Sequence, residues 1–234
     1  MPERLYSEHP HLYDAIQSDW DYDRDIAFVQ AALDEHRVEA DSLLEVGCGT
    51  GKHTRRFVEE GFEVTGVEPS QAMRATAREN CSATIRAGSL PELSLGDQFD
   101  VVVALRGVLN HLPPDDLGPA IASLDDHRTE DGLLVFDNSP LPPDGNTAAI
   151  DIGTTDRGEY ARITQMTPMD DGRLSWDSIV FTPDGDWFVD SKPMTPFDDL
   201  AIATALSELG LAVTTHDGFG PEDPRTVFVA TTPE

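Results

Sequence analysis

Leu43-Leu44-Glu45-Val46-Gly47-Cys48-Gly49-Thr50-Gly51-Lys52-His53-Thr54 is the stretch on which the reading of this chain depends. It opens as a short apolar run, breaks into alternate glycines at 47, 49 and 51, and continues as a helix-compatible segment. That order predicts a buried parallel strand, a tight turn and a helix N-terminus. Glycines let the backbone take positive φ and let a ligand approach the main chain closely. A helix starting there offers unpaired N–H groups and the positive end of its dipole. A second apolar run, Phe62 to Val67, ends at Glu68. A carboxylate at a strand end, about 20 residues beyond such a turn, is placed to accept both hydroxyls of a ribose. The ligand implied is nucleotide-like. A dinucleotide is disfavoured, because Gly-x-Gly-x-x-Gly needs glycine at position 52 and Lys52 stands there.

The Gly-x-Gly-x-Gly spacing resembles motif I of the class I S-adenosylmethionine-dependent methyltransferases. Glu68, in Gly66-Val67-Glu68-Pro69-Ser70, resembles their ribose-binding acid. The resemblance implies S-adenosylmethionine as cofactor, with no metal. It places Glu45, Gly47, Cys48, Gly49, Gly51 and His53 around the turn, and Glu68, Pro69 and Met73 beyond the second strand, as cofactor-binding residues.

The 234 residues suffice for one large domain, or one domain with an insertion. At 39% hydrophobic residues the chain has the makings of a core. Acidic residues number 44 against 16 basic ones, a formal net charge of −28, and they are spread along the whole chain. Lysine occurs only at Lys52 and Lys192. Distributed acid with few lysines is the pattern of a protein adapted to a high-salt cytoplasm, where screening weakens self-repulsion. The same field repels phosphate backbones, which argues against nucleic acid as a partner. Cys48 and Cys81 are expected as unpaired thiols of a cytoplasmic protein. No signal peptide and no membrane-spanning run is expected, the segment from Met1 to Trp20 being polar.

Along the chain, residues 1–40 read as a helical lead-in with a longer helix from about Asp23 to His36. Strands are predicted near 42–47, 62–67, 83–87, 99–105 and 132–138, and helices near 51–60, 70–79 and 114–127. That alternation forces parallel crossovers and a doubly wound sheet, with the ligand at the carboxyl ends of the strands. Asp131-Gly132 reads as the turn feeding the fifth strand. From 148 to 192, short alternating segments are separated by Thr-Asp-Arg-Gly, Asp-Asp-Gly and Pro-Asp-Gly, which are hairpin signals. Among Tyr160, Trp176, Phe181, Trp187 and Phe188, most are expected in the core of that sheet. A helix from Pro196 to Leu209 is expected next, with Thr195 as its N-cap and Gly210 as its stop. Strands at 211–214 and 225–230 close the sheet as a hairpin. The fold class is therefore α/β: a Rossmann-like, seven-stranded, mostly parallel sheet with a small antiparallel β insertion.

Further segments carry the resemblance. Ala87-Gly88-Ser89-Leu90 stands where the family recognises adenine, so Gly88, Ser89 and Leu90 are implied contacts. Ser89 departs from the acid usual there. Phe99 to Leu105, followed by Arg106-Gly107-Val108-Leu109-Asn110-His111-Leu112, resembles motif IV. It implies Leu105 and Arg106 along the cofactor's methionine half. It puts His111 near the reacting centre, as general base or as a residue orienting its loop. The lead-in resembles a lid over the cofactor, in which Tyr13 and Tyr22 are the candidates, Tyr13 for catalysis and Tyr22 for the cofactor. The layout beyond the Rossmann-like half is similar to small-molecule N-methyltransferases, of the sugar-amine N,N-dimethyltransferase and glycine N-methyltransferase kinds. That resemblance implies residues 1–40 as lid, 41–138 and 195–234 as methyltransferase domain, and 139–194 as an insertion on the substrate side. It implies a small-molecule acceptor, an amine, and admits a homodimer. The other readings are a non-catalytic S-adenosylmethionine-binding scaffold, and methylation of protein or nucleic acid.

Overall fold

The computed structural model describes residues 3–233. From the N-terminus the elements are α1 (Arg4–Ser7), α2 (Pro10–Ile16), α3 (Tyr22–His36), β1 (Ser42–Val46), α4 (Lys52–Glu59), β2 (Glu63–Val67), α5 (Gln71–Asn80), β3 (Thr84–Arg86) and β4 (Phe99–Ala104). Two 3-10 turns, Leu109–His111 and Pro114–Asp116, lead into α6 (Leu117–Asp126) and β5 (Arg128–Asn138). Then come β6 (Ala149–Thr155), β7 (Gly158–Pro168), β8 (Leu174–Phe181), β9 (Trp187–Met194), α7 (Asp199–Glu208), β10 (Ala212–Asp217) and β11 (Thr226–Thr231). The chain divides into two compact units. One holds the residues up to Trp20 with Leu141–Pro196; the other holds Asp21–Pro140 and the chain from Phe197 onward. The lead-in is thus split, α1 and α2 falling in the first and α3 in the second.

The larger unit is a seven-stranded sheet in the order β10-β11-β5-β4-β1-β2-β3. β1 pairs in parallel with β4 and β2, and β2 with β3. β5 runs parallel to β4, and β11 and β10 close the sheet antiparallel. Successive side chains of a strand face opposite ways, and both ways are covered here. Leu44, Val46, Val102, Ala104, Leu134 and Phe136 pack with α6 and α7 through Ile121, Leu124, Ile202 and Leu206. Leu43, Val101, Val103, Leu133 and Val135 pack with α3 and α4 through Ile26, Val29, Leu33 and Phe57. This double burial is why the central strands read as unbroken apolar runs. Each such side chain contributes on the order of 1.5–3 kcal/mol by leaving water. The carboxyl ends of β1, β2, β3 and β4 lie on one edge, and the glycine turn, Glu68, Gly88–Leu90 and Leu105–Arg106 follow them.

The smaller unit is a four-stranded antiparallel sheet, β6-β7-β8-β9. On its inner face Tyr160, Val180 and Phe188 pack with Leu12, Leu5, Ala15 and Ile16 of α1 and α2. Its other face carries two apolar rows, exposed except at the half-buried Ala161 and Ile163: Ile152, Ala161, Phe181 and Trp187 form one cross-strand row, and Ile150, Ile163, Ile179 and Val189 the next.

Several expectations require correction. β5 begins at Arg128, four residues before the predicted start, and a register shift separates the Phe99–Arg128 pair from Val101–Leu133. Asp131-Gly132 is therefore part of a bulged strand, not a turn. Its early residues are held by Arg128, whose Nη1 donates to the carbonyls of Thr129, Glu130 and Gly132. The last helix starts at Asp199, not Pro196: Asp198 is its N-cap and accepts from Leu200 N at 2.9 Å. Thr195 precedes Pro196, which disfavours a helical conformation there, and the Phe197 carbonyl accepts from Asn138 Nδ2 instead of starting a helix. α6 begins at Leu117, after a 3-10 turn over 114–116. Of the five aromatic residues of the insertion, only Tyr160 and Phe188 are core; Trp176 is half-buried, and Phe181 and Trp187 are exposed.

Candidate functional site

The glycine turn closes on the second strand. The N–H groups of Gly47 and Cys48 both donate to the Val67 carbonyl, at 2.8 and 3.0 Å, and Gly51 N donates to Cys48 O at 2.9 Å. Gly47 and Gly49 have φ of 75° and 55°, where a side chain is strained. A Cβ at Gly47 would stand 2.7 Å from Val108 Cγ2. A Cβ at Gly49 would meet no atom within 4 Å. The turn therefore has open space above its middle glycine, beside the N-terminus of α4, whose cap residue Gly51 supplies no side-chain hydrogen bond. Main-chain donors at a helix start, with room over them, fit an anionic or hydrogen-bonding ligand.

Glu68 stands at the end of β2, buried, and both its oxygens are engaged. Oε2 accepts from Gly49 N at 3.1 Å and Oε1 from Ser70 N at 2.8 Å. Burial raises its carboxyl above the ordinary value, and these two bonds oppose the rise. Each carboxylate oxygen has a further acceptor site, so the bonds orient Glu68 without exhausting it. Ser70 caps α5 and accepts from Met73 N at 3.3 Å; Met73 is buried and Pro69 exposed. Cys48 is a free, buried thiol, pushed up by burial and by the neighbouring Glu45 and Glu68.

Behind the turn lies a chain of buried ionisable groups. Glu45, on β1, accepts from the Thr54 hydroxyl, and burial pushes its carboxyl up to about 8. His53 stands next to it, with Nδ1 at 3.9 Å from Glu45 Oε1. Its Nε2 is 2.9 Å from Asp25 Oδ2 on α3. That oxygen also takes Arg106 Nε at 2.7 Å and Nη2 at 2.6 Å. Burial works against ionisation of Asp25; the bonds from His53 and Arg106 outweigh it and leave the carboxyl below its ordinary value. Burial, together with the charges of Arg106 and Arg56, lowers His53 against the pull of Asp25. Tyr22 lies edge-on to the His53 ring at 4.7 Å.

The segment after β4 is held from the far side by Asp137, fully buried at the end of β5. Its carboxylate accepts from the amides of Arg106 and Gly107. Those residues have φ of 69° and 73°, and a non-glycine residue at such an angle is a strained position. Leu105 is buried. Further on, Asn110 donates to Asn138 at 2.9 Å and accepts from Ser139 N at 2.9 Å. Asn138 in turn donates to Asp199 Oδ1 at 2.6 Å. His111 follows on the exposed side of the 3-10 turn.

Glu45, Gly47, Cys48, Gly49, Gly51, His53, Glu68, Leu105, Arg106 and Tyr22 thus converge around the carboxyl ends of β1, β2 and β4. Gly88, Ser89 and Leu90 follow β3; Ser89 is exposed and Leu90 packs against the core. Tyr13 lies in the smaller unit, edge-on to Tyr6 at 5.4 Å and Trp20 at 6.4 Å. Asp25 and Asp137 were not expected from the sequence. A signal for Asp25 existed: it is an acid beside Ile26 and one turn before Val29, on the apolar stripe of α3. Among the described residues, no three His, Cys, Asp or Glu side chains gather as a metal site.

Residues 43–132 match the family described as "Methyltransferase domain". The chain is 32% identical over 162 residues to dTDP-3-amino-3,6-dideoxy-alpha-D-glucopyranose N,N-dimethyltransferase of Streptomyces fradiae, a match spanning 67% of this chain and 64% of that one. It is 28% identical over 234 residues to dTDP-3-amino-3,4,6-trideoxy-alpha-D-glucopyranose N,N-dimethyltransferase of Streptomyces venezuelae, covering 95% and 97%. The crystal structure of Streptomyces venezuelae DesVI superposes with a TM-score of 0.83 at 26% identity, over 97% of this chain and 99% of that one.

Proposed function

We infer the reaction from the family: this chain belongs to the S-adenosylmethionine-dependent methyltransferases, and we propose that it methylates the amine of a small molecule, an amino sugar. The observation that carries the proposal is the likeness, along 95% of the chain, to an enzyme named for N,N-dimethylation of an amino sugar. The open cradle over Gly49, the carboxylate of Glu68 and the Glu45–His53–Asp25–Arg106 array fit the cofactor's three parts. When bound, the cofactor supplies an electrophilic methyl on a sulfonium that is its own leaving group. In our reading Glu68 takes the ribose hydroxyls, the turn amides and the N-terminus of α4 line the cradle over Gly49, and Ser89 and Leu90 flank the adenine. Glu45 meets the methionyl ammonium and Arg106 its carboxylate. The chain's task is alignment, and the acceptor nitrogen must arrive neutral. His111 and Tyr13 are our candidates for holding its proton. Residues 141–196, with α1 and α2, supply acceptor specificity in this reading.

The partners follow from the same reading. The acidic surface argues against nucleic acid. No helix among the described residues is long and apolar enough to cross a membrane. We propose a cytoplasmic protein of a high-salt cell, paired with a second copy through the exposed apolar face of the four-stranded sheet. Two such faces would bury on the order of 1,000 Å², the lower limit for a specific interface. Its eight positions carry no charge, and at molar salt, with a Debye length of about 3 Å, the net −28 of each copy is screened.

The test is incubation with methyl-labelled S-adenosylmethionine and a panel of nucleotide-linked amino sugars, simple amines, protein and polynucleotide in molar potassium chloride. Label in a mono- or dimethylated amino sugar is the expected result. Cofactor binding without transfer to any acceptor would point to the scaffold reading, and label in protein or polynucleotide would overturn the substrate class.

A further inference from the structure

His53 stands between two carboxylates, and the two differ in partners. Asp25 has neighbouring cations: Arg106 at 2.6 Å on Oδ2 and Arg24 at 3.5 Å from Oδ1. Glu45 has no such cation among the described residues; it takes the Thr54 hydroxyl on one oxygen and faces His53 Nδ1 with the other. A neutral imidazole has one N–H and one lone pair. An ionised Asp25 at 2.9 Å from Nε2 can only accept, so Nε2 carries the hydrogen. The lone pair of Nδ1 is thereby turned toward Glu45. All three side chains are buried, Asp25 completely. The groups facing His53 are Asp25 and Tyr22 of α3, Glu45 of β1, Arg106 after β4, and Arg56 of its own helix. Those facing Glu45 are His53, Thr54 and, at the end of β2, Glu68.

We infer that Asp25 and His53 are positioning residues that let Glu45 change charge when the cofactor's ammonium arrives, by an internal proton transfer. The inference rests on the reading that Glu45 meets that ammonium. Until an ammonium arrives Glu45 keeps its proton, because it is buried with no cation of the described residues against it. An ammonium brought to its oxygens needs the carboxylate. As the two side chains close from 3.9 Å to hydrogen-bond distance, the Glu45 O–H bond breaks and an N–H bond forms at His53 Nδ1. The result is an imidazolium between Asp25 and Glu45, both ionised. No proton leaves the protein and the net charge of the array does not change. Asp25 makes this feasible twice over, by fixing the acceptor tautomer and by neutralising the imidazolium. Its position on α3 also ties that helix to the same event.

The test is calorimetric titration of the protein with S-adenosylhomocysteine, in buffers of different ionisation enthalpy, which counts protons exchanged on binding. For the wild type the account predicts a count near zero between about pH 6 and 8, and an affinity nearly independent of pH there. In Asp25→Asn the charge that neutralises the imidazolium is lost, and Glu45 must give its proton to solvent. About one proton should then be released per ligand below pH ~8, with the Kd tightening up to tenfold per pH unit. His53→Gln should behave alike, and serves if Asp25→Asn does not fold. A residue that merely holds α3 in place would change affinity equally at every pH. Equal proton counts in wild type and variants, or release of a full proton by the wild type, would overturn the inference. Unchanged affinity in Glu45→Gln would instead overturn the placing of the ammonium on Glu45.

Discussion

The two sheets of this molecule spend their apolar residues in opposite ways. In the seven-stranded sheet the central strands are buried on both faces, and β1 runs Leu43-Leu44-Glu45-Val46 with no exposed position. In the four-stranded sheet one face packs on α1 and α2, while the other leaves Ile150 71% and Trp187 57% exposed. A doubly covered sheet keeps its chemistry at strand ends, because its faces are spoken for. A half-covered sheet can use a whole face. The polar groups differ too. The larger unit buries acids behind its glycine turn, at Glu45, Asp25 and Asp137. The smaller buries a cation: Lys192 lies over the rings of Tyr6 and Trp176 at 4.3 and 4.6 Å, and burial pushes its ammonium down to about 8.

Removing a deeply buried phenylalanine ring from each core is the most severe way to probe that contrast. Phe136 is fully buried and stacks on Phe228 at 5.3 Å; Phe188 lies against His9 at 4.8 Å in the smaller unit. Phe136→Ala should cost about 3–5 kcal/mol and abolish cofactor binding with folding, whereas Phe188→Ala should cost about 2–4 kcal/mol and leave S-adenosylhomocysteine binding within about threefold. Chemical denaturation with parallel ligand titration checks this. Equal loss of ligand binding in both variants would erase the distinction between the units.

The buried acids give the larger unit a pH signature. Glu45 is raised in the folded state from 4.5 to about 8, mainly by burial. Its contribution to stability is therefore complete below about pH 4.5 and is lost as pH rises through about 8. Glu68, raised in the same direction, adds to the trend. Cofactor-free wild type should lose stability over that window at up to about 1.4 kcal/mol per pH unit, and Glu45→Gln should show a flatter profile. Identical profiles would show that Glu45 is ionised in the cofactor-free protein.

Salt and surface effects should be smaller. With −28 formal charge, the melting temperature should rise between low salt and molar potassium chloride; no change would remove the high-salt reading. Phe181→Asp, in the middle of the exposed apolar rows, should alter monomer stability by about 0.5 kcal/mol or less while shifting a dimer to monomer in sedimentation. A wild type that sediments as a monomer at high concentration would leave that face without its proposed partner.

The difference between the sheets also explains what could be read from the sequence. Parallel strands buried on both sides announce themselves as apolar runs, and the turns after them as glycine and acid; β1, β2 and β4 lie within a residue of their expected places. The hairpins of the smaller sheet were legible from their turns, Thr-Asp-Arg-Gly, Asp-Asp-Gly and Pro-Asp-Gly. What was hidden depended on partners far along the chain. Arg128 opens β5 although it is charged, because its guanidinium is consumed by local carbonyls and by Asp125 at 2.7 Å. Asp198 displaced Thr195 as cap because the Phe197 carbonyl is taken by Asn138, 59 residues away. Asp25 meets Arg106 across 81 residues, and no local pattern shows such a pairing. The alternation in the smaller sheet was visible, yet not which face α1 and α2 would cover, so two of its five aromatic residues are core where most were expected to be.

The central claim is that the edge formed by the glycine turn and Glu68 binds S-adenosylmethionine. Calorimetry with S-adenosylhomocysteine at molar potassium chloride, on the wild type and on Glu68→Ala, tests it most directly. Glu68 stands with Oε2 on the Gly49 amide, so its loss removes two charge-assisted acceptors from the ribose and a brace from the turn. The account predicts saturable binding at one site per chain, weakened by about 1–3 kcal/mol in Glu68→Ala. Absence of binding by the wild type at any salt concentration, or an affinity untouched by Glu68→Ala, would contradict it.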